Sequence, residues 1–156
     1  MTKYAQNTSV SVARSKAEIE DILTKYGATG FVTGWNEQGA AVGFVMQGKQ
    51  IKFLLPLPDK SAREFTHVKV SQYTDKPRSP DKVMQAWEQA CRQRWRALVL
   101  CIKAKLEAVS QGITSFEHEF LAHFVIKNNQ TVGDLLIPHL EKAQLEGKLP
   151  QLTLGM

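Results

Sequence analysis

The stretch Pro80 to Gln111, PDKVMQAWEQACRQRWRALVLCIKAKLEAVSQ, decides the fold. Ser79 stands at an N-cap position, Pro80 falls in the first turn where proline is tolerated, Asp81 faces the positive helix end, and Gly112 is a natural stop. Met84, Trp87, Cys91, Trp95, Leu98, Ile102, Leu106 and Val109 recur at steps of three and four. They draw one apolar stripe along about 48 Å of helix, at 1.5 Å per residue. The other face carries Arg92, Arg96 and Lys103, flanked by Arg94 and Lys105. Ala97 to Ile102 is apolar around most of the circumference, so burial between two layers or at a subunit contact is expected there.

Upstream, Thr8 to Val12 (TSVSV) reads as a short strand. A helix follows, opened by the capping box Ser15 and Glu18, carrying Ile19, Ile22, Leu23 and Tyr26, and ended by Gly27. Three alternating segments come next. Phe31, Thr33 and Trp35 share one face, as do Val42, Phe44 and Met46, then Ile51, Phe53 and Leu55. Asn36 to Gly39 is a turn, and Gly48-Lys49 suits a two-residue hairpin with glycine first. The second face of this meander (Val32, Gly34, Ala41, Gly43, Val45) is small and apolar, and calls for cover by the long helix or by another chain. The expected fold is α+β: a small antiparallel meander, β-α-β-β-β, packed on one long helix with short C-terminal helices.

Residues 58–79 (PDKSAREFTHVKVSQYTDKPRS) read as a mobile basic connection, although VKV within it could pair as an edge strand. Beyond the long helix, Thr114 and Glu117 form a capping box for a short helix with Phe116, Phe120 and Leu121. Phe124 to Ile126 is extended, Lys127 to Gln130 a polar turn, and Thr131 with Asp134 opens a last helix. Val132, Leu135, Leu136, Leu140 and Leu145 form its stripe, Pro138 should kink or divide it, and Gly147 should stop it. The tail LPQLTLGM is expected to pack loosely. No repeat or low-complexity tract divides residues 1–156, which read as a single domain.

No apolar run approaches the ~18 residues that span a bilayer. The polar start MTKYAQNTS carries no apolar export segment, so a cytoplasmic location is expected. Cys91 and Cys101 share a helix about 15 Å apart, too far for a bridge, and read as reduced core thiols. Net charge is +5, unevenly spread. Residues 1–48 are neutral, residues 49–105 carry thirteen bases against five acids, and residues 106–156 carry three against six. A positive field in the middle third points to an anionic partner, nucleic acid above all. The plainer alternative is a basic protein without such a partner.

Gly43 to Gln50 nearly matches the phosphate-binding G-x-x-x-x-G-K-[ST], but Gln50 replaces the magnesium-holding hydroxyl and no helix follows. His118-Glu119-Phe-Leu-Ala-His123 resembles H-E-x-x-H with the second histidine one residue late, so the imidazoles point to different helix faces. The cysteines lie on or beside the apolar stripe, and Glu117 and Glu119 occupy positions that do not converge. No enzyme activity, cofactor or metal is therefore expected. The strongest constellation is basic. Lys60, Arg63, Lys69, Lys76 and Arg78 lie on the connection among Phe65, His67 and Tyr73, while Arg92, Arg96 and Lys103 lie on the helix. Cations along a rod beside an arm with aromatics suit backbone tracking of single-stranded nucleic acid. An ordinary solvated face, with Gln85, Gln89 and Gln93 as polar as it is positive, is the competing explanation. Trp87 and Trp95 are assigned to the core, with Phe31, Phe44 and Phe53.

The run WEQACRQRWRALVLCIKAKLEAVSQGITSFEHEFLAHFVI, with YGATGFVTGW before it and TVGDLL after it, resembles a family of small proteins encoded in tailed phages and prophages. The resemblance covers most of the chain and carries no catalytic residues. It implies a bacterial cytoplasm and a role in phage DNA metabolism or with host factors. The expectation is a non-enzymatic accessory protein that associates with nucleic acid, single-stranded DNA in preference to a specific duplex site. The alternative is a modulator or inhibitor of a host defence protein. A homodimer is also in view.

Overall fold

Ser11, not Ser15, starts the first helix. Its hydroxyl accepts the Arg14 N–H at 3.1 Å, and α1 runs Val12–Lys25. The expected strand over 8–12 is not formed, because the cap draws Val12 into the helix and leaves Thr8 to Ser11 without a partner strand. Ser15 is instead fully buried inside the helix, and Ile19 and Leu23 on the same side are fully buried too. The structure, a computed structural model, describes residues 3–148. The tail LPQLTLGM lies outside them.

The meander forms as an antiparallel sheet of β1 (Gly30–Asn36), β2 (Gly39–Met46) and β3 (Lys49–Leu55), in the order β1-β2-β3. Asn36 faces Gly39, and Met46 faces Lys49 across the second turn. That turn is therefore Gln47-Gly48, one residue earlier than the sequence pattern predicts. Both residues have positive φ, 51° and 72°, the primed geometry whose twist matches the strands, and glycine takes the second place.

Then α2 (Arg63–Thr66) leads into β4 (His67–Ser71) and β5 (Thr74–Pro77), a separate hairpin. The segment read as a mobile connection thus holds a helix and two paired strands, with Val68 and Lys69 in the ladder and Val70 at the register shift before Ser71. The long helix α3 spans Pro80–Ser110 and ends before Gly112. α4 (Phe116–Phe120) is capped by Ser115, one residue after the expected Thr114, through the His118 N–H. The Thr131–Asp134 capping box is fully made and opens α5 (Val132–Glu146), which continues through Pro138 to Gly147 as one element.

One face of the sheet, α1, α3 and α4 enclose the core: Val42, Phe44, Met46, Ile51 and Phe53 against Ile19, Leu23, Trp95, Leu98, Val99, Ile102, Leu106, Phe116 and Phe120. Each large side chain removed from water there stabilises by about 1.5–3 kcal/mol. The long helix therefore lies on the face of Val42, Phe44 and Met46 and not across the small-residue face, for which it was one of two candidate covers. That face stays open, because the large side chains of the meander take up the apolar stripe of the helix. Its own middle is covered on one side. Leu98, Val99 and Ile102 are buried, whereas Ala97, Leu100 and Cys101 are exposed. Cys91 is a buried thiol as expected and Cys101 is not, since the helix turns it away from both α1 and the sheet.

Candidate nucleic-acid interface

The cations singled out on α3 meet different fates. Arg96 Nη1 lies 2.5 Å from Glu18 Oε2 on α1, and its side chain is 16% exposed. This hydrogen bond holds the Glu18 carboxyl below its usual range and pushes Arg96 up. Arg96 therefore joins two helices and is not offered to a phosphate. Arg92 donates to Gln89 Oε1, and its Nε is buried without a hydrogen-bond partner among the described residues. Lys103 is exposed on the α1 side, where its charge helps to lower Glu18 and Glu107. The flanking Arg94 donates to the Pro56 carbonyl at 2.7 Å, and Lys105 pairs with Glu119 at 2.9 Å.

The hairpin carries the rest. Arg63 pairs with Asp75 at 3.1 Å but stays largely in water, so the pair contributes little. Arg78 donates to the carbonyls of Glu64 and Phe65, both at 3.3 Å, and fastens the base of the hairpin. Lys69 and Lys76 are exposed and have no ion-pair partner among the described residues. Tyr73 stands exposed at the tip, beside exposed Val68 and Val70. Upstream, Trp87 Nε1 donates to the Pro58 carbonyl at 2.7 Å, and Lys60 Nζ sits 5.6 Å from the Trp87 ring centre. The basic segment is thereby pinned to the first half of α3.

Next to this pin lies a groove of about 370 Å³ between α1, the end of β1 and α3. Its lining includes Lys16, Trp35, Leu57, Trp87, Arg92 and Trp95. All three tryptophans of the chain therefore meet in one place. Trp87, Cys91 and Trp95 arrive by helical spacing of four, and Lys16 reaches over from α1 to lie 5.1 Å from the Trp95 ring. Trp95 belongs to the core as expected, whereas Trp87 is half-buried at the groove wall. Trp35 is the surprise. Its register opposite Ala40 puts it on the covered face, yet it is 81% exposed, because the end of β1 forms the rim of the groove and no helix lies over it. Sequence reading missed Trp35 and Lys16 as site residues. Their only signal was a large aromatic at a strand end beside a turn.

Of the eight cations read from the sequence, Arg92 lines the tryptophan groove, Lys60 sits by the Trp87 ring, and Arg63, Lys69, Lys76 and Arg78 lie on or next to α2 and the hairpin. Arg96 and Lys103 face α1.

Burial pushes the Cys91 thiol up, away from a reactive thiolate. Gly43 to Gln50 spans two strands and their turn. His118 Nδ1 is 3.1 Å from Ser115 Oγ, while His123 stacks on Phe53 with ring centres 4.0 Å apart. No cluster of three or more potential metal ligands occurs among the described residues. No described helix is long and apolar enough to cross a membrane.

The His123 stack has a pH consequence. Burial, followed by the charge of Lys105, lowers its pKa, so the fold favours neutral imidazole. The unfolded chain binds the extra proton first, below about pH 6.5, and stability is lost as pH falls from there towards the folded pKa. Glu18, Glu107 and Asp134 are also held low, so their contribution is lost at more acidic pH, below about 4.5. His123→Phe, which keeps the stack and removes the proton, should flatten the melting temperature against pH in the upper window alone. An unchanged slope there would reject this assignment.

Comparison with known proteins finds no matching family model, no matching curated protein and no matching solved structure.

Proposed function

We propose that the protein is a non-enzymatic accessory protein that binds single-stranded DNA in the cytoplasm of a bacterial host. The observation that carries the reading is the convergence of Trp35, Trp87 and Trp95 on one groove lined by Lys16 and Arg92, with Lys60 by the Trp87 ring. Unpaired bases stack on exposed indole faces and lysines neutralise phosphates, and the two requirements coincide here. Trp35 supplies the open ring, and Lys69, Lys76 and Tyr73 on the hairpin extend the track. A paired duplex has no free base face for Trp35, so single strands are preferred and readout is not sequence-specific.

Titrating the protein with a single-stranded oligonucleotide should quench tryptophan fluorescence, with affinity falling steeply as salt rises. Trp35→Ala removes an exposed ring without disturbing the core, and should weaken binding about tenfold, in the ~1–3 kcal/mol range of a stacked base. The absence of both quenching and gel retardation at low salt would refute the proposal. A second reading, a modulator of a host protein, draws support from the exposed Val68 and Val70 of the hairpin. It expects a stable protein partner whose capture survives loss of Lys69 and Lys76.

A further inference from the structure

The segment Lys3 to Val10, ahead of α1, meets the first half of α3 on few fastenings. Its backbone N–H groups find local acceptors. Gln6 donates to the Lys3 carbonyl at 3.3 Å, Thr8 to the Ala5 carbonyl at 3.0 Å, and Val10 to Thr8 Oγ1 at 3.2 Å. Among the described residues no backbone–backbone hydrogen bond joins residues 3–10 to another element, and none of these residues is buried. The hydrogen bonds to α3 come from one side chain. Gln89 Nε2 donates to the Gln6 carbonyl at 3.1 Å and to the Thr8 carbonyl at 2.9 Å. Ala5 adds strain, with φ at 54°, a left-handed backbone that a residue with a Cβ adopts at a cost. A segment held in this way belongs to the least stable part of a fold.

The same glutamine occupies Arg92. Gln89 Oε1 accepts from Arg92 Nη2, while Arg92 Nε, on the same edge of the guanidinium, is buried and meets no acceptor among the described residues. A buried N–H without a partner is costly, so that edge is only half satisfied. A phosphate takes both N–H groups of the edge in parallel, and its charge makes each bond stronger than one to a neutral amide. The position it would take is the one Gln89 Oε1 now holds. Arg92 lines the tryptophan groove, and so does Ser11, where the segment runs into α1.

We propose that Lys3 to Val10 is a strap closed onto α3 through Gln89, and that a phosphate of the bound strand displaces Gln89 from Arg92 and opens it. This rests on the reading of the groove as a site for single-stranded DNA. On opening, Arg92 exchanges a neutral acceptor for an anionic one and its Nε gains a partner. The Gln6 and Thr8 carbonyls turn to water, and Ala5 is free to leave its left-handed conformation. Apparent affinity is reduced by the fraction of molecules that are closed, so the strap sets the strength of binding without touching the DNA.

Hydrogen exchange and oligonucleotide titration of the full chain test the strap together. Saturating the wild type with a thymidine oligonucleotide should speed exchange at the Gln6 and Thr8 amides severalfold. Gln89→Met keeps side-chain length and helix propensity but removes the hydrogen bonds to the strap. It should speed exchange at the same amides without DNA. Binding should tighten severalfold at an unchanged salt slope, since Arg92 meets the phosphate in both proteins. Adding Arg92→Met to Gln89→Met should cancel that gain and lower the slope by about 0.7. Unchanged exchange in Gln89→Met overturns the strap, as does faster exchange with affinity unchanged or weaker. So does a DNA-bound wild type whose Gln6 and Thr8 amides exchange no faster. In each of these cases binding of single-stranded DNA itself stands. A wild type that binds no oligonucleotide at low salt overturns the reading beneath the strap, and the strap with it.

Discussion

Replacing Phe120 with alanine is expected to cost the fold about 3–5 kcal/mol, the upper range for truncating a buried aromatic. Phe120 is fully buried and meets Phe44 edge-on at 6.1 Å, Phe53 edge-on at 6.3 Å and Phe116 at 5.1 Å. Removing the ring leaves a cavity among side chains from β2, β3 and α4 that cannot all collapse into it. Set against a total stability of about 5–15 kcal/mol, this is a large fraction. At ~2–4 °C per kcal/mol for a chain of this size, the melting temperature should fall by roughly 6–20 °C. Leu145→Ala, on a side chain that the chain leaves in water, should change the monomer by less than about 0.5 kcal/mol. Urea denaturation of both variants checks the contrast. A loss below about 1 kcal/mol for Phe120→Ala would mean that the aromatic cluster is not the centre of the core.

What the sequence made legible follows from the range of each signal. α3 was readable to within a residue because a 31-residue stripe, a first-turn proline and a terminal glycine all agree. The sheet faces followed from alternation alone. The start of α1 was misread because TSVSV alternates like a strand, and Ser11 and Ser15 both offer a capping hydroxyl. Only packing decides between them, by burying Ser15. The hairpin was half visible: prolines and polar residues around VKV resemble a loop, and pairing with Thr74 to Pro77 appears only in three dimensions.

The site was harder for a physical reason. Arg96 and Glu18 lie 78 positions apart, and no local pattern announces their ion pair. That pair also makes Arg96 a poor position for a charge-reversal test, since Arg96→Glu would set two carboxylates against each other between α1 and α3. The tryptophan groove draws its lining from α1, the end of β1, the start of β2, the segment after β3 and α3. Five segments meet there, and composition cannot register that.

Charge removal at Lys60, Lys69 and Lys76 is the more incisive test of nucleic-acid binding. None of the three carries an ion pair with another described residue, and all stand outside the core, so a triple alanine variant should fold as the wild type does. Each lysine that contacts a phosphate of single-stranded DNA contributes about 0.7 to the slope of log affinity against log salt. Losing three should reduce that slope by about 2 and weaken binding at low salt by one to two orders of magnitude. Trp35→Ala should differ in kind: affinity falls while the salt slope stays, because an indole releases no counterions. The two variants thus separate the stacking contribution from the ionic one on a single oligonucleotide. If the triple variant keeps the wild-type slope, the phosphate contacts lie elsewhere, and Lys16 and Arg92 at the groove become the ones to replace.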